Sequence, residues 1–286
     1  MNIVKRALFG GIYVILIVVS LLTWDSSKTF FNILFACFIG LGLLEASKLL
    51  NYDVKPINKW ITVIDSAGGV GIFIAAGLSW IASAGSLLLI AIALYLLVRF
   101  SVQLYMPQHN AVADVRQSLA AVLYVALPLS MLSILNIKFT PYVTLAVFIF
   151  IWLYDTGAFL VGCAIGKHRL FERISPKKSW EGVAGGALFV IAFAIAVVSI
   201  PDLNSFFNPK SMSIDTWIVM GITAVVAATL GDLFESLLKR TAGVKDSGNI
   251  IPGHGGILDR IDSLLFVAPA ILIVLEVVEA VHKLVN

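Results

Sequence analysis

Hydrophobic residues along this chain gather into long continuous runs broken by short polar segments. Nine runs approach the ~20 residues that a helix needs to cross a bilayer. They lie near 7–23, 30–49, 60–79, 82–100, 118–136, 142–163, 182–200, 214–231 and 263–282. Only a short turn at 79–85 separates the third from the fourth. Continuous apolar runs predict helices, because the strands of a membrane barrel would alternate between lipid-facing and lumen-facing residues. The pattern therefore predicts an all-α, polytopic integral membrane protein. The first run follows Lys5 and Arg6, and no convincing small-x-small cleavage site comes after it. It reads as a retained helix and not as a signal peptide.

Composition agrees with this pattern. The chain of 286 residues is 59% hydrophobic and only 13% charged, with a mean hydropathy of +0.98. A soluble domain would carry about 25% charged residues. Cys37 and Cys163 both sit in apolar runs, which argues against a disulfide scaffold. No internal repeat, low-complexity tract or separate soluble domain is visible. Residues 1–286 read as a single membrane domain, with N-terminal helices over 1–136 and the chemistry over 137–286.

The cations predict an orientation. With the N-terminus in the cytoplasm, 16 of the 20 Lys and Arg residues fall in inside segments. Only Lys28, Lys138, Lys210 and Lys283 fall outside. The positive-inside rule thus favours a cytoplasmic N-terminus. The longest cytoplasmic segments would be 164–181 and 232–262, which places candidate chemistry on the cytoplasmic face of a cell membrane, towards the C-terminal half.

The second of these segments carries the larger number of charged residues. Lys239, Arg240, Lys245, Asp246, His254, Asp259, Arg260 and Asp262 crowd between two apolar runs. Charge at a membrane boundary is expensive, so such a mixture suggests a site. Asp232, Ser236 and Lys239 follow at i, i+4 and i+7, on one helix face. Asp259 and Asp262 stand three apart at the start of the last span, again on one face. Three carboxylates on two helices suit a hard cation, with Mg²⁺ favoured when phosphates complete its shell. The clustered Cys and His of a zinc site are absent. Gly248, Gly253, Gly255 and Gly256 permit close backbone approach and could turn amides towards an anion. Lys239, Arg240, Lys245 and Arg260 supply charge-assisted donors for phosphate. Together these are the parts needed for phosphoryl or nucleotidyl transfer.

The first segment opens with Tyr154-Asp155-Thr156-Gly157, and Asp155 within an apolar run is a functional candidate by default. It ends with Ser175-Pro176-Lys177-Lys178-Ser179-Trp180-Glu181, a basic juxtamembrane cluster of the kind that also attracts anionic lipid. Gly162-x-x-x-Gly166-Lys167-His168 is one residue short of a Walker loop, ends in His in place of Ser or Thr and follows no strand, so it is set aside. Asp65, Glu45 and Asp114 are expected to face the bundle interior without assigned roles. Gly68, Gly69, Gly71 and Ala75 suggest close helix packing.

The segment from Ser236 to Asp262 resembles the signature of the phosphatidate cytidylyltransferases, or CDP-diacylglycerol synthases. Ser236, Lys239-Arg240, Lys245-Asp246, His254-Gly255-Gly256 and Asp259-Arg260-x-Asp262 meet each fixed position of that pattern. Asp155-Thr156-Gly157-Ala158 and Ser175-Pro176-Lys177-Lys178-Ser179-x-Glu181 are also similar to family motifs, with a departure at Cys163, where arginine is expected. The resemblance covers most of the chain, weakly before about residue 110.

This resemblance implies that CTP and phosphatidate react to give CDP-diacylglycerol and pyrophosphate, with Mg²⁺, in phospholipid biosynthesis. It assigns Asp232 and Asp259 as main metal ligands, with Asp246 and Asp262 as additional carboxylates. Lys239, Arg240, Lys245 and Arg260 would hold the triphosphate. Asp155, Ser175, Lys177, Lys178 and Ser236 would contact lipid phosphate or nucleotide, with Gly255 and Gly256 lining the site. His254 is either a loop-ordering hydrogen bonder or an acid. A homodimer is compatible with this reading, and nucleic acid is not an expected partner. The rivals are a CTP-dependent lipid kinase, a synthase acting on ether lipids, and a secondary transporter using Asp65, Asp155 and Asp232. Clustering of the polar residues on one membrane face argues against the transporter.

Overall fold

In a computed structural model of the chain, residues 3–24, 28–52, 59–106, 110–250 and 255–285 are described, and His254 lies outside them. The element order is α1 (Ile3–Leu22), α2 (Lys28–Leu50), α3 (Lys59–Ile81), α4 (Ser86–Leu104), α5 (Ala111–Ala121), a π-helical turn (Val122–Ala126) and α6 (Leu127–Phe139). Then follow α7 (Pro141–Ile165), β1 (Arg169–Phe171), β2 (Ser175–Ser179), α8 (Trp180–Ser199), α9 (Pro201–Phe207), α10 (Ile214–Thr241) and α11 (Leu258–Val285). Among the described residues eight helices are long and apolar enough to span a membrane, α5 through α6 counting as one of 29 residues. Helix α1 adds a shorter apolar stretch, Phe9–Leu22. Each of the nine hydrophobic runs is thus helical. The π turn lies just before Pro128, which lacks the amide for an i→i−4 bond and leaves the preceding turn to widen.

The chain divides into two compact units, Met1–Lys138 with Leu238–Ile261, and Phe139–Leu237 with Asp262–Asn286. In the first unit Phe31, Phe35 and Phe73 pack together between α2 and α3. Gly69 brings α3 against Leu43, Ile39 and Ala126, and Gly68 lies against the ring of Tyr95. Gly71 meets nothing within 4 Å, so it has no part in that packing. Asp65 does face the interior, where it accepts a hydrogen bond from Tyr95 Oη at 2.9 Å and lies 3.7 Å from Arg99 Nε. Arg99 is fully buried and donates to Ser118 Oγ and Gln103 Oε1. This cation, counted from sequence among the inside charges, neutralises a helix-borne carboxylate instead of meeting lipid headgroups.

In the second unit α7 and α8 pack along a seam of small residues. A Cβ on Gly186 would strike the ring and carbonyl of Tyr154, and one on Gly157 would lie 3.0 Å from Gly186 Cα. Gly182 and Gly185 bring α8 equally close to Ala158 and Val161. Such stripes let backbones approach where no hydrophobic effect drives association. Between these helices β1 and β2 form an antiparallel hairpin, pairing Arg169 with Ser179 and Phe171 with Ser175. The hairpin is an addition to the all-helical expectation. The segment is too short and too rich in Pro and Lys to read as a strand pair from its pattern.

Candidate functional site

The second unit carries one cluster of the expected residues. The hairpin presents Lys178 to α10, and its Nζ lies 2.6 Å from Asp232 Oδ2. Ser236 Oγ donates to Asp232 Oδ1 at 3.2 Å, as the i, i+4 spacing predicts. Asp232 is thus held by both segments singled out from the sequence. Next to it Gly231 brings α10 against α11, where a Cβ would lie 2.6 Å from the carbonyl oxygen of Asp262. Ser263 Oγ donates to the carbonyl of Ala228 at 3.4 Å in the same contact. Asp262 is half-buried, and its Oδ1 accepts from the amide of Ser263. Asp155 and Lys177 are exposed and Ser175 is half-buried. Tyr154, beside Asp155, hydrogen-bonds Thr229 of α10 and ties α7 to that helix.

Glu181 closes the base of the hairpin. Its carboxylate accepts from the amides of Lys167 and His168 at 3.2 Å and pairs with the His168 ring. The Lys167 and His168 amides are therefore already committed to an anion within the chain, and that of Gly166 to the Gly162 carbonyl, which agrees with setting the Walker reading aside.

The first unit carries the other cluster. Helix α10 ends in a Schellman turn, with Gly243 at φ +68°, its amide bonded to the Arg240 carbonyl and that of Val244 to the Lys239 carbonyl. Lys239 Nζ then lies 2.6 Å from Asp259 Oδ1. Asp259 Oδ2 accepts from Ser247 N at 2.9 Å, Ser247 Oγ at 2.9 Å and Gly256 N at 2.8 Å. The glycine-rich loop does turn amides to an anion, as expected, but that anion is Asp259 itself. Gly255 adopts φ +80°, and a Cβ there would meet Asp259 Oδ2. Arg240, Lys245, Asp246 and Arg260 are exposed.

Sequence reasoning gave Glu45 no function, yet it lies beneath this loop. It is 1% exposed, and its Oε2 accepts from Leu258 N at 2.9 Å and Ser247 Oγ at 3.1 Å. The available signal was a single carboxylate inside the apolar run 30–49.

The donor set can be weighed against a divalent cation. Among the described residues no three Asp, Glu, His or Cys side chains stand close enough together to cage a metal. The carboxylates offer oxygen only, and Asp232 keeps a third of its side chain exposed. Asp232 thus combines an oxygen donor with room for a cation, a donor type that suits Mg²⁺, which binds through one or two carboxylates and takes its remaining ligands from water and phosphate.

The model of the cytidylyltransferase family matches residues 4–278. This chain belongs to the cytidylyltransferase family. It is 43% identical over 132 residues to the phosphatidate cytidylyltransferase of Thermotoga maritima, covering 46% of this chain and 48% of that protein. It is 45% identical over 130 residues to the phosphatidate cytidylyltransferase of Staphylococcus aureus, covering 45% and 46%. With the Haemophilus influenzae protein of the same name it shares 42% over 128 residues, 45% of this chain and 43% of that one. The chain thus spans about half the length of the curated relatives it matches.

Proposed function

We propose that this family member transfers CMP from CTP to phosphatidate, giving CDP-diacylglycerol and pyrophosphate. The observation that carries the reading is the pair Lys178–Asp232, which joins the Ser175–Glu181 motif to the residue that holds Ser236, the first of the C-terminal signature. The names of the relatives support it. The phosphate of phosphatidate is already an oxyanion, so the reaction needs no strong general base. An oxygen of that phosphate attacks the α-phosphorus of CTP. A new P–O bond forms, the bond to the β-phosphate bridging oxygen breaks, and pyrophosphate leaves with the electron pair. The protein's task is to neutralise two polyanions and align them.

In this reading Lys177, Lys178 and Ser175 hold substrate phosphate, and Lys239, Arg240, Lys245 and Arg260 hold the triphosphate and the departing pyrophosphate. Asp155, Ser236, Gly255, Gly256 and His254 complete the substrate contacts, and Asp262 is a further carboxylate. Asp232, Asp259 and Asp246 are assigned to Mg²⁺, which when bound supplies positive charge to the phosphates. The charge bias among the loops supports a cytoplasmic N-terminus and a site facing the cytoplasm of a cell membrane. The test is incubation of the purified protein in detergent with CTP labelled in the cytosine ring, phosphatidate and Mg²⁺. The expected result is label in the extracted lipid with release of pyrophosphate. Phosphorylated lipid with CDP released would instead identify a kinase and sink the proposal.

A further inference from the structure

We propose that Glu45 of α2 is a positioning residue for the Lys239–Asp259 pair, acting through the hydroxyl of Ser247 and the first amide of α11. The kinetic part of this inference rests on the cytidylyltransfer reading; the structural part does not.

A carboxylate buried in a membrane-spanning helix is costly unless it is compensated. Glu45 is compensated by groups that lie far off in sequence. Its Oε2 takes the Leu258 amide, 213 positions away, and the Ser247 hydroxyl, 202 positions away. Leu258 begins α11, and the opening amides of a helix need acceptors from outside it. The preceding residue, Ile257, has no side chain able to serve. Glu45 therefore caps α11 from another helix, with its charge at the favourable end of the helix dipole.

The loop is also shaped around this side chain. A Cβ on Gly248 would run into Glu45 Oε1, and one on Gly256 into Glu45 Oε2 and Ser247 Oγ. Two glycines of the loop, Gly256 of the signature and Gly248 between its fixed positions, are thus explained by room for a carboxylate from α2. Ser247 has a single hydroxyl proton, yet its Oγ lies 3.1 Å from Glu45 Oε2 and 2.9 Å from Asp259 Oδ2. It can donate to only one of them at a time, so the hydroxyl couples the two acids. Asp259 in turn holds Lys239 at 2.6 Å. The chain from Glu45 to Ser247 to Asp259 to Lys239 sets where the ammonium and the carboxylate of the signature stand.

Glu45 Oε1 has no hydrogen-bond partner among the described residues. An amide group at that position loses no bond there, so Glu45→Gln keeps the shape and both Oε2 acceptor bonds while removing the charge. It is the conservative variant. Glu45→Ala removes the acceptor, and Ser247→Ala removes only the coupling hydroxyl.

The experiment compares these three variants with the wild type as intact purified proteins in detergent. Hydrogen exchange of the amides of Ser247, Gly256 and Leu258 is measured together with kcat and KM for CMP transfer. Glu45→Ala should accelerate exchange at these amides about 10-fold or more and lower kcat about 10-fold or more, with KM for CTP changed less. Exchange elsewhere in α2 should be unchanged. Glu45→Gln should restore most of the protection with an intermediate kcat, and Ser247→Ala should lower kcat while leaving the Leu258 amide protected. Unchanged exchange and unchanged kcat in Glu45→Ala would overturn the proposal. So would acceleration spread evenly over the molecule, which would mark plain packing. If Glu45→Ala does not yield folded protein, Glu45→Gln and Ser247→Ala decide, and wild-type kcat in both counts against positioning. Absence of CMP transfer in the wild type would refute the proposed reaction instead, and the exchange of the Leu258 amide would still judge Glu45.

Discussion

Asp232 and Asp259 each hold a lysine at 2.6 Å, but their surroundings differ. Asp232 is partly exposed and has one further weak partner, whereas Asp259 is nearly buried and accepts three more hydrogen bonds. A partly exposed ion pair such as Lys178–Asp232 contributes little to stability, so the proposed reaction could exchange it for a substrate phosphate at little cost. Lys178→Ala is expected to raise KM about 10-fold or more while lowering kcat less, which steady-state kinetics with each substrate varied would show. Asp259→Asn should abolish CMP transfer in a protein that still inserts and elutes as a single species. Near wild-type turnover in that variant would refute its role. At this scale the spacing of Asp232 and Ser236 was legible from sequence, and so was the choice of Lys178 as a candidate, though not its pairing with Asp232. Glu45 was not, because one acid in an apolar run has no spacing partner, and its partners are more than 200 residues away.

The seam between α7 and α8 governs how the hairpin is presented to α10. Five glycines line it, at 157, 162, 182, 185 and 186, and the hairpin with Lys178 is strung between the two helices. Gly186→Leu would force the helices apart against Tyr154, at an expected loss of about 1–3 kcal/mol. Thermal unfolding in detergent should show the loss, and CMP transfer should fall with it. Gly71→Leu serves as the control, since that position is open and should leave the unfolding temperature unchanged. Helix existence was readable from run length, because the bilayer demands a fixed span of apolar residues. The hairpin was not readable, since three- and five-residue strands containing Pro176 offer almost no alternation. Glycines read as one class in the sequence also divide here: Gly68 and Gly69 pack, while Gly71 does not.

For the molecule as a whole, orientation is read from the placement of charge, and Arg99 weakens that reading: a cation inside a bundle says nothing about headgroups. Orientation can be tested with single reporter cysteines after replacement of Cys37 and Cys163. Lys210→Cys should react with a membrane-impermeant maleimide in intact cells, and Glu172→Cys only after permeabilisation. The reverse pattern would invert the proposed topology. The grouping of 238–261 with the N-terminal helices was not legible either, because its contacts, the hydrogen bonds of Glu45 among them, bridge most of the chain. Those bonds carry a consequence in time. A ribosome adds about 5–20 residues per second, so the 202 residues between Glu45 and Ser247 take about 10–40 s to appear. Through that interval the second helix lies in the membrane with a carboxylate whose final partners do not yet exist. A chain interrupted before residue 247 would show its defect there, in a helix completed long before the break.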